Sequence, residues 1–141
     1  MKTNQVIDII SAIFILLFLY AAANKLIDHQ KFEVQIGQSP ILTGYAAVIS
    51  WIIPATEIFI SILLIIPSAR QWGLLASFSL MLMFTAYIIV ILNFAERIPC
   101  SCGGILEKMG WTAHLIFNIC FVLLALTGVF LEAKNRLQSQ G

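Results

Sequence analysis

Uncharged apolar residues dominate this chain in four long stretches, at about positions 6–25, 41–66, 72–94 and 111–131, with polar segments between them. A helix needs roughly 20 apolar residues to cross a bilayer. The pattern therefore predicts an all-α integral membrane four-helix bundle in a single transmembrane domain. The first stretch carries Asp8 near its start and is closed by Asn24-Lys25. Its end, Tyr20-Ala21-Ala22-Ala23, resembles the small-residue cleavage site of a secretory signal, with Lys2 as a thin positive n-region. The stretch outruns an ordinary signal core and a second span follows, so it is expected to be retained.

Residues 26–40 are polar and mixed in charge and read as a loop, with Pro40 suited to the first turn of the next helix. The second stretch is interrupted by Pro54 and Glu57 and stopped by Pro67. The short connection Pro67-Ser68-Ala69-Arg70-Gln71 makes the second and third helices antiparallel neighbours. A longer segment, 95–110, joins the third to the fourth, with one interfacial turn expected over Ile105 to Met109. Glu132 to Gly141 reads as a polar tail.

Composition sharpens this picture. Of 141 residues, 60% are hydrophobic and only 11% charged, against about 25% charged in soluble domains. A net charge of +1 gives no sign of a nucleic-acid partner. Four spans put both termini and Arg70 on one side. Lysine and arginine divide evenly between the sides, but Asp28, Glu33, Glu96 and Glu107 fall on the loop side and leave the terminal side the more positive. Termini in the cytoplasm and the 95–110 segment outside a bacterial plasma membrane are the expected arrangement, which puts its thiols where disulfides persist.

Those thiols are the candidate chemistry. Pro99-Cys100-Ser101-Cys102-Gly103-Gly104 lets two sulfurs meet across one residue, and the glycines permit the backbone angles that a tight loop demands. The ring would be small and strained, and strained disulfides are the labile, regulatory or catalytic ones. Two unpaired loop cysteines are the alternative, but adjacent exposed thiols oxidise readily.

Several residues within the spans need a reason to be there. A carboxylate at the position of Glu57 costs about 3 kcal/mol on insertion scales, so it should be protonated, paired or turned to a cavity. Ser50, Pro54, Glu57 and Ser61 share one helical face, where Pro54 also leaves the Ser50 carbonyl without its helical donor. This stripe should face the bundle interior, with Glu57 serving either as inter-helix glue or as a proton donor or acceptor. Trp111, His114 and Asn118 share a face of the fourth helix. His114 either orders the helix end by bonding Asn118 or accepts a proton from a nearby thiol, and Trp111 reads as an interfacial anchor. Lys25 is expected to snorkel to the surface, or in a functional role to stabilise a thiolate or pair with Glu57. Cys120 projects away from the His114 face and reads as a small buried hydrophobe.

Together these segments resemble the MauE/DoxX group of small four-helix membrane proteins. The resemblance spans nearly the whole chain and rests on Asn24-Lys25-Leu26, Pro54-Ala55-Thr56-Glu57, the Pro99 to Gly104 motif, and Trp111-Thr112-Ala113-His114-Leu115. Gly103 directly after Cys102 departs from the Cys-x-Cys-Phe-Gly often seen in MauE members and suggests a divergent branch rather than methylamine utilisation itself. The resemblance implies disulfide chemistry or electron transfer beside an extracytoplasmic thioredoxin-like partner.

Three functions follow as expectations. The first is a thiol-disulfide relay: a partner thiolate attacks the Cys100–Cys102 disulfide, and a mixed disulfide forms and is resolved by a second cysteine. The layout resembles DsbB and vitamin K epoxide reductase, which pass electrons to a quinone, but by fold analogy only. This chain lacks their second cysteine pair, so any quinone coupling would run directly from Cys100 and Cys102 past Glu57 and His114. The second is a non-catalytic assembly subunit whose disulfide clamps the loop. The third is soft-metal handling by Cys100, Cys102 and His114, a weak ligand set; the metal assignment is none.

Overall fold

The computed structural model describes residues 2–38, 42–94 and 110–141. Five α-helices occupy them: α1 (Thr3–Ile27), α2 (His29–Gly37), α3 (Ala46–Ile65), α4 (Arg70–Phe94) and α5 (Trp111–Gln140). Single 3-10 turns at Thr43–Tyr45 and Pro67–Ala69 lead into α3 and α4. Four of the helices are long and apolar enough to span a membrane. The chain is an all-α, multi-pass membrane protein.

The four long helices form a ring in which α1 packs on α3, α3 on α4, α4 on α5, and α5 back on α1. Phe14, Phe18, Ile60, Leu64, Leu74 and Met81 fill its centre. Phe14 meets Phe121 edge to face at 5.4 Å, and Phe18 in a tilted contact at 5.7 Å, both favoured aromatic geometries. Two glycines let helices approach closely. A Cβ on Gly73 would lie 3.0 Å from the Leu64 backbone nitrogen, and one on Gly128 would lie 3.1 Å from Leu74 Cδ2 and 3.2 Å from Ile10 Cγ2. Small residues at such crossings are characteristic of membrane bundles, where packing rather than the hydrophobic effect drives association. Leu16, Trp51, Phe59, Leu123 and Phe130 face outward, as lipid contact requires.

One end of the bundle gathers the start of α1, the α3–α4 turn and the end of α5. Arg70 pairs with Asp8, Asn135 bonds Asn4, and the Arg136 guanidinium donates to the Pro67 and Ser68 carbonyls at 3.1 and 3.2 Å. Both ends of the described chain thus lie beside the Arg70 connection, as an even number of spans dictates. The other end holds the close of α1, all of α2, the end of α4 and the start of α5.

The structure departs from the polarity pattern in three places. Residues 29–37, expected as loop, form α2, because Asp28 caps its first turn by accepting from the Lys31 amide and Phe32 and Ile36, one turn apart, bury against the bundle. His29 stacks on Trp51 at 3.9 Å and holds α2 to α3. The fourth helix continues through the polar tail beyond the apolar stretch and runs to Gln140. Its last turns are rich in strong helix formers and are supported by a Glu132–Arg136 pair at i, i+4, 3.0 Å long. Cys120 is exposed on the outer face rather than buried, since apolar residues in a bilayer are stable facing out. Pro40, the turn expected over 105–109, and both Cys100 and Cys102 lie outside the described residues.

Candidate functional site

The α3 helix presents Ser50, Pro54, Glu57 and Ser61 on one buried face, following the 3.6-residue period. Ser50 returns its hydroxyl to the Ala47 carbonyl at 2.8 Å and Ser61 to the Glu57 carbonyl at 2.9 Å, so both are satisfied within their own helix. Glu57 is not. Its side chain is 0% exposed, and its partner comes from α1: Lys25 Nζ lies 2.7 Å from Oε1.

Lys25 is 2% exposed, so it does not snorkel but turns inward. Its position near the end of α1 favours the surface. Inward orientation wins because α2 folds back over it, with the Phe32 ring centroid 5.7 Å from Nζ, and because a carboxylate awaits it inside. A cation over an aromatic face gains further electrostatic support. Breaking such a buried pair at one partner leaves an uncompensated charge in a medium that solvates it poorly.

From α5, His114 and Asn118 enter the same region at 3% and 2% exposure. The turn above them is marked by Trp111, whose ring lies 6.1 Å from that of His114. No hydrogen bond ties the two together: His114 Nδ1 and Asn118 Nδ2 are both without a partner, as is Glu57 Oε2. Lys25, Glu57, His114 and Asn118 line one small cavity whose remaining walls include Phe18 of α1 and Met81 and Phe84 of α4. The structure thus brings together four of the six residues singled out from the sequence. The other two, Cys100 and Cys102, belong to the segment outside the described residues, which the chain enters from the end of α4 and leaves into α5.

Sequence reasoning missed the α2 and α4 contributions. Phe32 was detectable from the Asp28 cap and the Phe32–Ile36 spacing. Phe84 carries no local signal, since nothing in an evenly apolar helix marks one wall. A second, larger cavity of about 330 Å³ lies between α2, α3 and α4. Phe32 and Phe84 face it too, and Gln35 and Tyr87 are the polar-tipped side chains on its otherwise apolar wall. Among the described residues no group of three or more histidine, cysteine or acidic side chains is placed to hold a metal.

The chain has no match among curated proteins or solved structures. The family described as Methylamine utilisation protein MauE matches residues 3–131, nearly the full length. With a four-span bundle, an Asn24-Lys25 close to the first span and a Glu57 that pairs across to it, this chain belongs to the MauE family.

Proposed function

We propose that this protein is a membrane thiol-disulfide redox protein, in which Cys100 and Cys102 exchange electrons with an extracytoplasmic thioredoxin-like protein and the Lys25–Glu57–His114–Asn118 cluster handles the accompanying protons. The observation that carries this reading is the buried cluster itself. Two charges and two further polar side chains sit inside an apolar bundle, in the half nearer the end where the cysteine segment joins α4 and α5. Intramembrane ionisable groups mark proton or substrate pathways more often than they serve as packing. The family name, a methylamine utilisation protein, is compatible with a redox role.

The exchange balances as dithiol plus disulfide giving disulfide plus dithiol. A thiolate of the partner attacks one sulfur of the Cys100–Cys102 bond, the other sulfur leaves as a thiolate and takes up a proton, and the partner's second thiolate then releases the mixed disulfide. Two electrons and two protons move, in the direction the two potentials dictate. This reading places the protein in a bacterial plasma membrane with cytoplasmic termini and the cysteine segment outside.

A lipid-soluble quinone suits the larger cavity. At about 330 Å³ it falls in the range of small-molecule sites, and its wall is almost wholly apolar, as a lipid-soluble ring requires. A quinone held there would supply a two-electron, two-proton couple.

Thiol trapping in native membranes tests the proposal. A relay predicts that Cys100 and Cys102 cycle between oxidised and reduced forms, and that a Cys100→Ala or Cys102→Ala variant captures a thioredoxin-like protein as a mixed disulfide. A pair that stays oxidised would indicate the clamp of an assembly subunit, metal-protected thiols would indicate soft-metal binding, and labelling only from the cytoplasmic side would reverse the topology.

A further inference from the structure

We propose that Glu57, His114 and Asn118 together bind a single water molecule, and that this water joins the Glu57 carboxylate to the His114 imidazole as one proton-conducting unit. Three buried atoms, Glu57 Oε2, His114 Nδ1 and Asn118 Nδ2, lack any partner, and the residues that carry them line the same cavity. Buried polar groups in native proteins are almost always satisfied, by protein or by ordered water. Three such atoms, on residues that line one space, call for a shared partner that the protein itself does not supply.

The volume selects the guest. The cavity measures about 20 Å³, above the roughly 10–15 Å³ that one water occupies by this measure and far below what any organic ligand needs. Its chemistry selects the same guest. A water can donate to the acceptor-only Glu57 Oε2, accept from the Asn118 amide, and use its remaining capacity on His114 Nδ1, donating or accepting according to the tautomer. A metal cation is disfavoured because the Lys25 ammonium already holds Glu57 Oε1 and the unpartnered Asn118 Nδ2 is a donor that cannot ligate a cation. The groups facing the cavity from each element are Lys25 from α1, Glu57 from α3, and His114 with Asn118 from α5; α4 contributes only Met81 and Phe84.

Within this unit Asn118 is a positioning residue: it holds the water without titrating. His114 stands nearer the start of α5, about 4.5 Å along the axis from Trp111 at 1.5 Å per residue, and Glu57 stands deeper. A proton taken up at His114 passes to Glu57 through this water. The use of this unit in thiol exchange rests on the function proposed above; the water site does not.

The test is water-edited solid-state NMR on the full chain in lipid bilayers, with ¹⁵N-histidine and a His29→Gln background so that His114 is the sole label. Rapid magnetisation transfer from water to the His114 ring is expected. It should be lost in Ala21→Leu, where a larger apolar side chain at a cavity-lining position displaces the water while every polar group is retained, and weakened in Asn118→Leu. Ala21→Val supplies the same test if the leucine is not accommodated. Absence of transfer in the parent, or transfer unchanged in a folded Ala21 variant, overturns the proposal. Transfer that survives in a Cys100→Ala/Cys102→Ala chain, whatever thiol trapping shows, keeps the water site separate from the redox reading.

Discussion

Two sets of charged side chains hold this bundle, and they obey different physics. At the terminal end, Arg70 with Asp8 ties α4 to α1 and Arg136 with Glu132 braces the last turns of α5, and at least one partner of each pair is substantially exposed; the Asp8 side chain is 64% accessible. Water and salt screen such pairs, whose worth is about 0–1 kcal/mol. In the interior, Lys25 and Glu57 form a pair of the same chemical type with almost no exposure. There neither solvent nor ions can compensate a missing partner. The terminal set shows that ion pairs can serve merely to order helix ends, and the interior set shows what it means for a charge to be retained where an apolar pair would pack as well.

The largest effect expected from breaking this contrast is at Lys25→Met or Glu57→Leu alone. Each should destabilise the folded protein by about 3–5 kcal/mol, read as a fall in thermal midpoint in detergent, whereas the double variant should recover most of the loss. Glu57→Gln sharpens the functional side: with the fold retained, thiol cycling of Cys100 and Cys102 should slow if Glu57 carries protons and stay unchanged if it is only glue. Next in size is Gly73→Val, which forces atoms against the Leu64 backbone and should cost about 1–3 kcal/mol. Arg70→Ala should cost no more than about 1 kcal/mol, and less at high salt. Smallest of all is Cys120→Ala, expected within about 0.5 kcal/mol of the parent, with a membrane-permeant thiol reagent labelling Cys120 in the folded parent.

The bundle and its connectivity were legible because hydrophobic length and loop length determine them. The inward stripe on α3 was legible because periodicity alone places Ser50, Pro54, Glu57 and Ser61 together. The direction of Lys25 was not, since a lysine near a helix end can go either way until a neighbouring segment closes over it, and that segment, α2, was hidden by its polar composition. Cys120 misled for a different reason. The expectation that a small thiol hides inside comes from water-soluble proteins, and lipid removes the penalty for facing out. The last turns of α5 were not legible because the polar composition of 132–141 marks the end of the apolar span and is silent on where the helix stops. The convergence of His114 and Asn118 on Glu57 needed three-dimensional packing, because residues on different helices share no sequence spacing.

The 32-residue separation between Lys25 and Glu57 bears on how the protein is made. These residues belong to consecutive spans; the Glu57 carboxylate, midway along its helix, disfavours insertion by about 2.5–3.5 kcal/mol, whereas Lys25, in the last turn of α1, can reach the interface until its partner arrives. A first span released alone by the insertion machinery would carry an unmatched cation, and the second an unmatched anion. Pairing with Lys25 offsets the carboxylate's penalty, so α3 should insert more readily beside α1 than alone.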